Sequence, residues 1–178
     1  MKPSCSAWLG PLISVVAVVP SVYASQFLSI EQAQTAMFPQ ASFTASPRVL
    51  SPVQIAEIQK ASGQRVLSPQ LKAWKVSSGG WFIVDQVLGK HEFITFAVGI
   101  DGAGAIKGVE ILEYRESYGG EVASSSWRAQ FLGKHANAPL KLGGDIQNIS
   151  GATLSSKHVT DGVKRLLSTH ALVLAASA

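Results

Sequence analysis

Apolar residues follow helical spacing near both ends of the chain and strand-like runs in between. From Ser29, the stretch SIEQAQTAMF sets Ile30, Ala33 and Met37 at helical intervals, with Ser29 as N-cap and Gln32 three residues on, as in a capping box. Pro39 ends that helix. A second helix is predicted from Ser51-Pro52, a cap followed by proline at the first helical position, with Val53, Ala56 and Ile58 as its apolar stripe and a stop near Gly63. The period then changes. Residues 81–87, 92–100 and 106–114 are rich in β-branched and aromatic side chains. Gly89-Lys90 and Asp101-Gly102-Ala103-Gly104 separate them as hairpin turn signals. Together they predict an antiparallel meander. Ser124 to Leu132 reads as a short helix stopped by Gly133. From Lys157 to Thr169, Val159, Val163, Leu166 and Leu167 share one face of an amphipathic helix. This order predicts a single α+β domain, an antiparallel β-meander packed with N-terminal helices and a C-terminal amphipathic helix.

Length and composition agree with one core: the chain has 178 residues, of which 47% are hydrophobic. The formal charge of +4, from 15 Lys and Arg against 11 Asp and Glu, is scattered without a basic block, so no nucleic-acid partner is expected. Cys5 is the single cysteine and permits neither a disulfide nor a cysteine metal site. The first 24 residues join Lys2, an apolar run from Ala7 to Val19 and a small-x-small end at Val22-Tyr23-Ala24. They read as a secretory signal peptide cleaved after Ala24. An uncleaved anchor is the competing reading, disfavoured because a bilayer needs about 20 apolar residues and Pro11 interrupts this shorter run. The expected location is extracytoplasmic, periplasmic in a cell with an outer membrane.

Most familiar enzyme chemistries lack their signatures. His91, His135, His158 and His170 include no i, i+4 pair for a metal, and no GxSxG elbow, Walker loop or strand-GxGxxG-helix unit occurs. Strict alternation puts Glu110 and Glu113 on opposite strand faces, which argues against a carboxylate pair. Two segments remain. Ile149 to Ser156, ISGATLSS, reads either as a turn permitted by Gly151 with Ser155 or Ser156 as N-cap, or as an anion site at a helix start. Tyr118-Gly119-Gly120 reads either as a loop leaving a strand or as backbone able to approach a flat ligand closely.

Ser150-Gly151-Ala152-Thr153 followed by Leu154-Ser155-Ser156 resembles the attachment motif of the FMN-binding domain family, which includes the flavin-carrying subunits of Rnf- and Nqr-type electron-transport complexes. Glu116-Ser117-Tyr118-Gly119-Gly120 resembles the family's Glu-Thr-Pro-Gly-Leu-Gly segment, with Tyr118 in place of the proline. Trp127, Gln130, Phe131, Gly133 and Lys134 resemble its W..QF.GK pattern. The resemblance covers residues 80 to 167. It implies FMN as cofactor, joined through its phosphate to Thr153 by a separate flavin transferase that uses FAD as donor. Ser150, Gly151, Ala152, Leu154, Ser155 and Ser156 would bind the cofactor, with Ser150, Ser155 and Ser156 as donors to the phosphate, and Glu116, Ser117, Tyr118, Gly119 and Gly120 would line the flavin. Flavinylated members carry aspartate three positions before the motif's serine; here that position is Gln147, with Asp145 two residues further back.

On this reading, residues 1–24 are the leader, 25–79 an N-terminal helical region, 80–170 the FMN-binding domain and 171–178 an apolar tail. The implied function is electron relay between a membrane-bound redox partner and an extracytoplasmic acceptor, with no residue acting as a turnover catalyst. The alternatives are a module that holds FMN or another phosphate ligand reversibly, and a flavin-dependent reductase.

Overall fold

The computed structural model describes residues 25–177; the leader read over residues 1–24 lies outside the described residues. Seven strands form an antiparallel sheet: β1 (Ser25–Gln26), β2 (Phe43–Ala45), β3 (Arg48–Val49), β4 (Gln70–Val76), β5 (Trp81–Leu88), β6 (Phe93–Ile100) and β7 (Ile106–Tyr114). Their order is β1-β7-β6-β5-β4-β2, and β3 also pairs with β4. The helices are α1 (Ile30–Met37), α2 (Pro52–Ser62), α3 (Ser125–Arg128) and α4 (Thr153–Thr169). This is the α+β arrangement that the pattern predicts. Among the described residues no helix is long and apolar enough to cross a membrane.

Apolar side chains cover both faces of the sheet, which explains why β5 and β6 read as nearly unbroken hydrophobic runs. Ile83, Val87, Ile94, Phe96 and Val98 pack with Val159, Val163, Leu166 and Leu167 of α4. Phe82, Val84, Ala97 and Leu112 pack with Ala33, Met37 and Phe38, in and just after α1. Gly162 lets α4 lie close against the sheet, since a Cβ there would stand 2.7 Å from both Phe96 Cζ and Val87 Cγ1. Buried Arg165 fixes the helix along its length. Its guanidinium donates to Asp85 Oδ2 (2.8 Å), Gln86 O (3.1 Å) and Arg65 O (3.0 Å), so α4, β5 and the α2–β4 connection share one charged anchor.

Several details differ from the sequence expectations. Residues 25–79 contain the two expected helices, both with complete capping boxes, but they also contribute β1 to β4 to the sheet. The α2 stripe is not buried as a set: Val53 is 67% exposed, whereas Ile58 is fully buried. Helix α4 begins at Thr153, four residues before Lys157, and a π-helical turn over His170–Leu174 extends it.

The largest correction lies in β7. Thr95 pairs with Glu113 but Phe96 pairs with Ile111, so Leu112 is an extra residue in a β-bulge. Glu110 opposes Ala97 and Glu113 opposes Thr95, and both carboxylates therefore share the α1 face rather than lying on opposite faces. They still form no acid-base pair, because Glu110 bonds to Arg128 and Glu113 to Arg115. The same bulge turns Tyr114, opposite Ile94, into the core on the α4 face.

Gly162→Ala tests the close helix–sheet contact. In an ordinary helix interior alanine gains roughly 1 kcal/mol over glycine; here overpacking against two stiff buried side chains should reverse the sign, with a net loss within about 1–3 kcal/mol. Denaturant unfolding of both proteins measures the difference.

Candidate functional site

At the sheet end where β5 turns into β6 and β7 terminates, a cavity of about 570 Å³ opens beside the first turn of α4. Its lining brings together Glu116, Ser117, Tyr118, Gly151, Ala152, Thr153, Leu154 and Ser155, with Lys90 and His91 from the β5–β6 turn. Gly119 and Gly120 line an adjoining cavity that shares Glu116, Ser117, Tyr118 and Gly151. Ser150 lies on a groove beside Gln147 and Asn148. Ser156 is fully buried, and its Oγ donates to Ala152 O (2.9 Å), so it serves the helix and not the cavity.

Thr153 is the first residue of α4 and is exposed at the cavity. Its Oγ1 accepts a bond from Asn148 Nδ2 at 3.0 Å. The N-cap is Ala152, which has no side-chain acceptor, so neither Ser155 nor Ser156 caps the helix. Helices α1 and α2 close their starts with Ser29–Gln32 and Ser51–Gln54. Helix α4 leaves the N–H groups of its first turn without such a cap, and with the helix dipole they favour an anion there. Gly151 makes the preceding turn at φ +84°, a conformation that residues with a Cβ rarely adopt.

A hydroxyl network holds the other wall. Tyr114 donates its one proton to Tyr118 O, so the 2.9 Å contact with Ser155 must be a bond donated by Ser155 Oγ to the Tyr114 oxygen. Burial pushes the Tyr114 hydroxyl above its ordinary pKa; the Ser155 bond opposes this, and the charges of Glu116 and Glu121 add to it. Gly119 sits in the notch between these groups: a Cβ there would meet the Tyr114 oxygen at 2.6 Å and Ser155 Oγ at 2.8 Å. Tyr118 is left 86% exposed, an unusual state for a large ring.

The segment leading to Thr153 is pinned from α3 and the turn after it. Trp127 Nε1 donates to Gln147 O (2.7 Å), and Gln147 N–H donates to Gln130 Oε1 (2.7 Å). Both backbone polar groups of one residue are thus held by side chains three apart. Lys134 Nζ bonds to Asp145 Oδ2 (2.9 Å), and Lys141 N–H donates to Asp145 Oδ1 (2.7 Å). Burial opposes ionisation of Asp145, but Lys134 and the amides outweigh it and lower its pKa. Asp145 is committed to this loop and does not stand in for an acid at position 147.

The arrangement defines a small-molecule site that combines an anion-ready helix start with exposed apolar surface from Leu154 on that helix and Tyr118 on the loop after β7. Its volume lies in the range of about 300–1,000 Å³ typical of ligand pockets. These features suit a flat ring carrying a phosphate. Residues 89–168 match the family model described as the FMN-binding domain. Its cofactor is FMN. A relative is found among the subunits of the Na(+)-translocating ferredoxin:NAD(+) oxidoreductase complex of Acetobacterium woodii, 39% identical over 74 residues. The match spans 36% of this chain and 36% of the relative.

Sequence reasoning missed Lys90, His91, Tyr114 and Asn148. Tyr114 was hidden by the bulge, and the hairpin residues had no signal beyond their turn.

Glu116 lines the cavity and also holds the β5–β6 turn. Its Oε1 accepts the N–H groups of His91 (2.6 Å) and Glu92 (3.0 Å). Burial disfavours its charge, yet the N–H groups of Glu92, His91 and Lys90, followed by the His91 charge, outweigh that effect and lower its pKa. A carboxylate with a depressed folded pKa contributes stability above its unfolded value and loses it as pH falls through the folded value. Amide exchange at His91 and Glu92 should therefore speed up, relative to intrinsic rates, as pH falls below the ordinary glutamate range. Glu116→Gln should remove that pH dependence in a hydrogen-exchange series.

Proposed function

We propose that this chain is an exported flavoprotein that relays electrons between a membrane-bound redox partner and an extracytoplasmic acceptor. Its FMN is held covalently through the phosphate to Thr153. The observation that carries the reading is an exposed threonine at the uncapped start of α4, facing a cavity of sufficient size within a segment of the FMN-binding domain family. The kinship with a component of an oxidoreductase complex supports a redox partner, and the leader read over residues 1–24 supports export.

When bound, the flavin supplies one- or two-electron transfer. The chain's own residues position and retain it. In the attachment, catalysed by a separate flavin transferase, a bond forms between Thr153 Oγ1 and the FMN phosphorus of FAD. The pyrophosphate P–O bond breaks, AMP leaves, and the hydroxyl proton is released. The first-turn amides of α4 would hold the remaining negative charge, and Tyr118 and Leu154 would offer apolar surface to the ring. Such a link retains the cofactor outside the cytoplasm, where dilution would remove a reversibly bound one.

One observation favours a second reading, reversible FMN binding: Gln147 stands where flavinylated members carry aspartate. Co-production with a flavin transferase, followed by denaturing electrophoresis and in-gel flavin fluorescence, separates the two. The wild type and Ser150→Ala should fluoresce and Thr153→Ala should not. A dark wild type that binds FMN in equilibrium dialysis would establish the reversible reading instead.

A further inference from the structure

The β5–β6 turn takes no part in the attachment, yet its position is closely fixed. Gly89 N–H donates to Glu92 O (2.8 Å) and closes the turn. Glu116 reaches across from beyond the end of β7 to accept its amides. The carboxylate has room because residue 89 is glycine; a Cβ there would stand 2.5 Å from Glu116 Oε1. Lys90 and His91 are thereby held exposed on the same cavity as Thr153. Among the described residues Lys90 makes no ion pair. Glu116 directs Oε1 at backbone amides, and its carboxylate lines the cavity beside the basic side chains of Lys90 and His91.

We propose that Lys90, with His91 beside it as a hydrogen-bonding partner, forms a wall by which the cavity selects a flavin that bears a phosphate over one that does not, with Glu116 as the positioning residue. This rests on the reading of the cavity as an FMN site. A phosphate ester is anionic and the oxidised isoalloxazine is neutral, so a cation on this wall acts on the phosphate and leaves the ring's affinity unchanged. Glu116 gives the proposal a sign. As a bare negative charge, its removal would tighten binding of an anion; as an anchor for Lys90 and His91, its removal weakens it.

The test uses the full chain produced without flavin transferase, titrated separately with FMN and riboflavin by flavin fluorescence at low and high salt. The wild type should prefer FMN, less so at high salt. Lys90→Gln should weaken FMN about tenfold, the size of one charge-assisted hydrogen bond, and leave riboflavin unchanged. Glu116→Gln, which removes the charge, and Gly89→Ala, which keeps the charge but displaces the carboxylate, should both weaken FMN and spare riboflavin. Thermal melts check their folding; if either variant is unfolded, Lys90→Gln decides alone. Equal losses for FMN and riboflavin, or tighter FMN binding by Glu116→Gln, would overturn the proposal. A wild type that binds both flavins equally refutes the selective wall and leaves the FMN site standing; one that binds neither also refutes the wall, and in-gel flavin fluorescence of the chain co-produced with flavin transferase then decides whether the FMN site stands.

Discussion

The site depends on one hydroxyl, that of Tyr114. Through it the end of β7, the loop at Tyr118 and the first turn of α4 meet at a single buried point. Each group in this network has a defined direction, because a phenol has one proton to give and Tyr118 O takes it. Backbone that leaves a strand is otherwise free to swing. Here the carbonyl just before Gly119 is tied to the helix that carries Thr153, so the two walls of the cavity keep a fixed separation. The bulge at Leu112 makes this possible, since without the extra residue Tyr114 would face α1.

A second set of restraints works from the opposite side. Trp127 and Gln130 hold the backbone of Gln147, Lys134 holds Asp145, and Asn148 reaches the Thr153 hydroxyl. The aromatic, amide and lysine residues that resemble a family pattern thus have a mechanical reason to occur together. They set the path of the loop that presents the threonine. A long loop with unpaired backbone would leave that hydroxyl in many positions, and ordering it on binding would cost free energy.

Much of the fold was legible because local rules and burial agree. Capping boxes at Ser29 and Ser51, glycine stops and β-branched runs mark α1, α2 and β5 to β7 without any knowledge of tertiary structure. Strand β4 was missed because Lys72 and Lys75 break its apolar pattern and it lies near the sheet's edge. The start of α4 was misjudged for a chemical reason: serine is a strong capping signal, but Ser155 and Ser156 turn inward to Tyr114 and to Ala152 O, and the cap position went to alanine. The threonine and glycine positions of the site were visible through resemblance. The roles of Tyr114 and Lys90 were not, because one follows from a register shift and the other from a carboxylate 26 residues away in sequence.

The Arg165 anchor bears on where the cooperative unit ends. Its guanidinium reaches Arg65 O, in the connection between α2 and β4, and Asp85 in β5. Both partners lie before residue 89, where the family match begins. A fragment cut to the matched stretch would keep the guanidinium but lose these acceptors, leaving a charge without its compensation. It would also lose α1, the cover over Ala97 and Leu112. The boundary drawn by kinship is therefore not the boundary of folding: the cofactor segment relies on N-terminal elements that the family match leaves out.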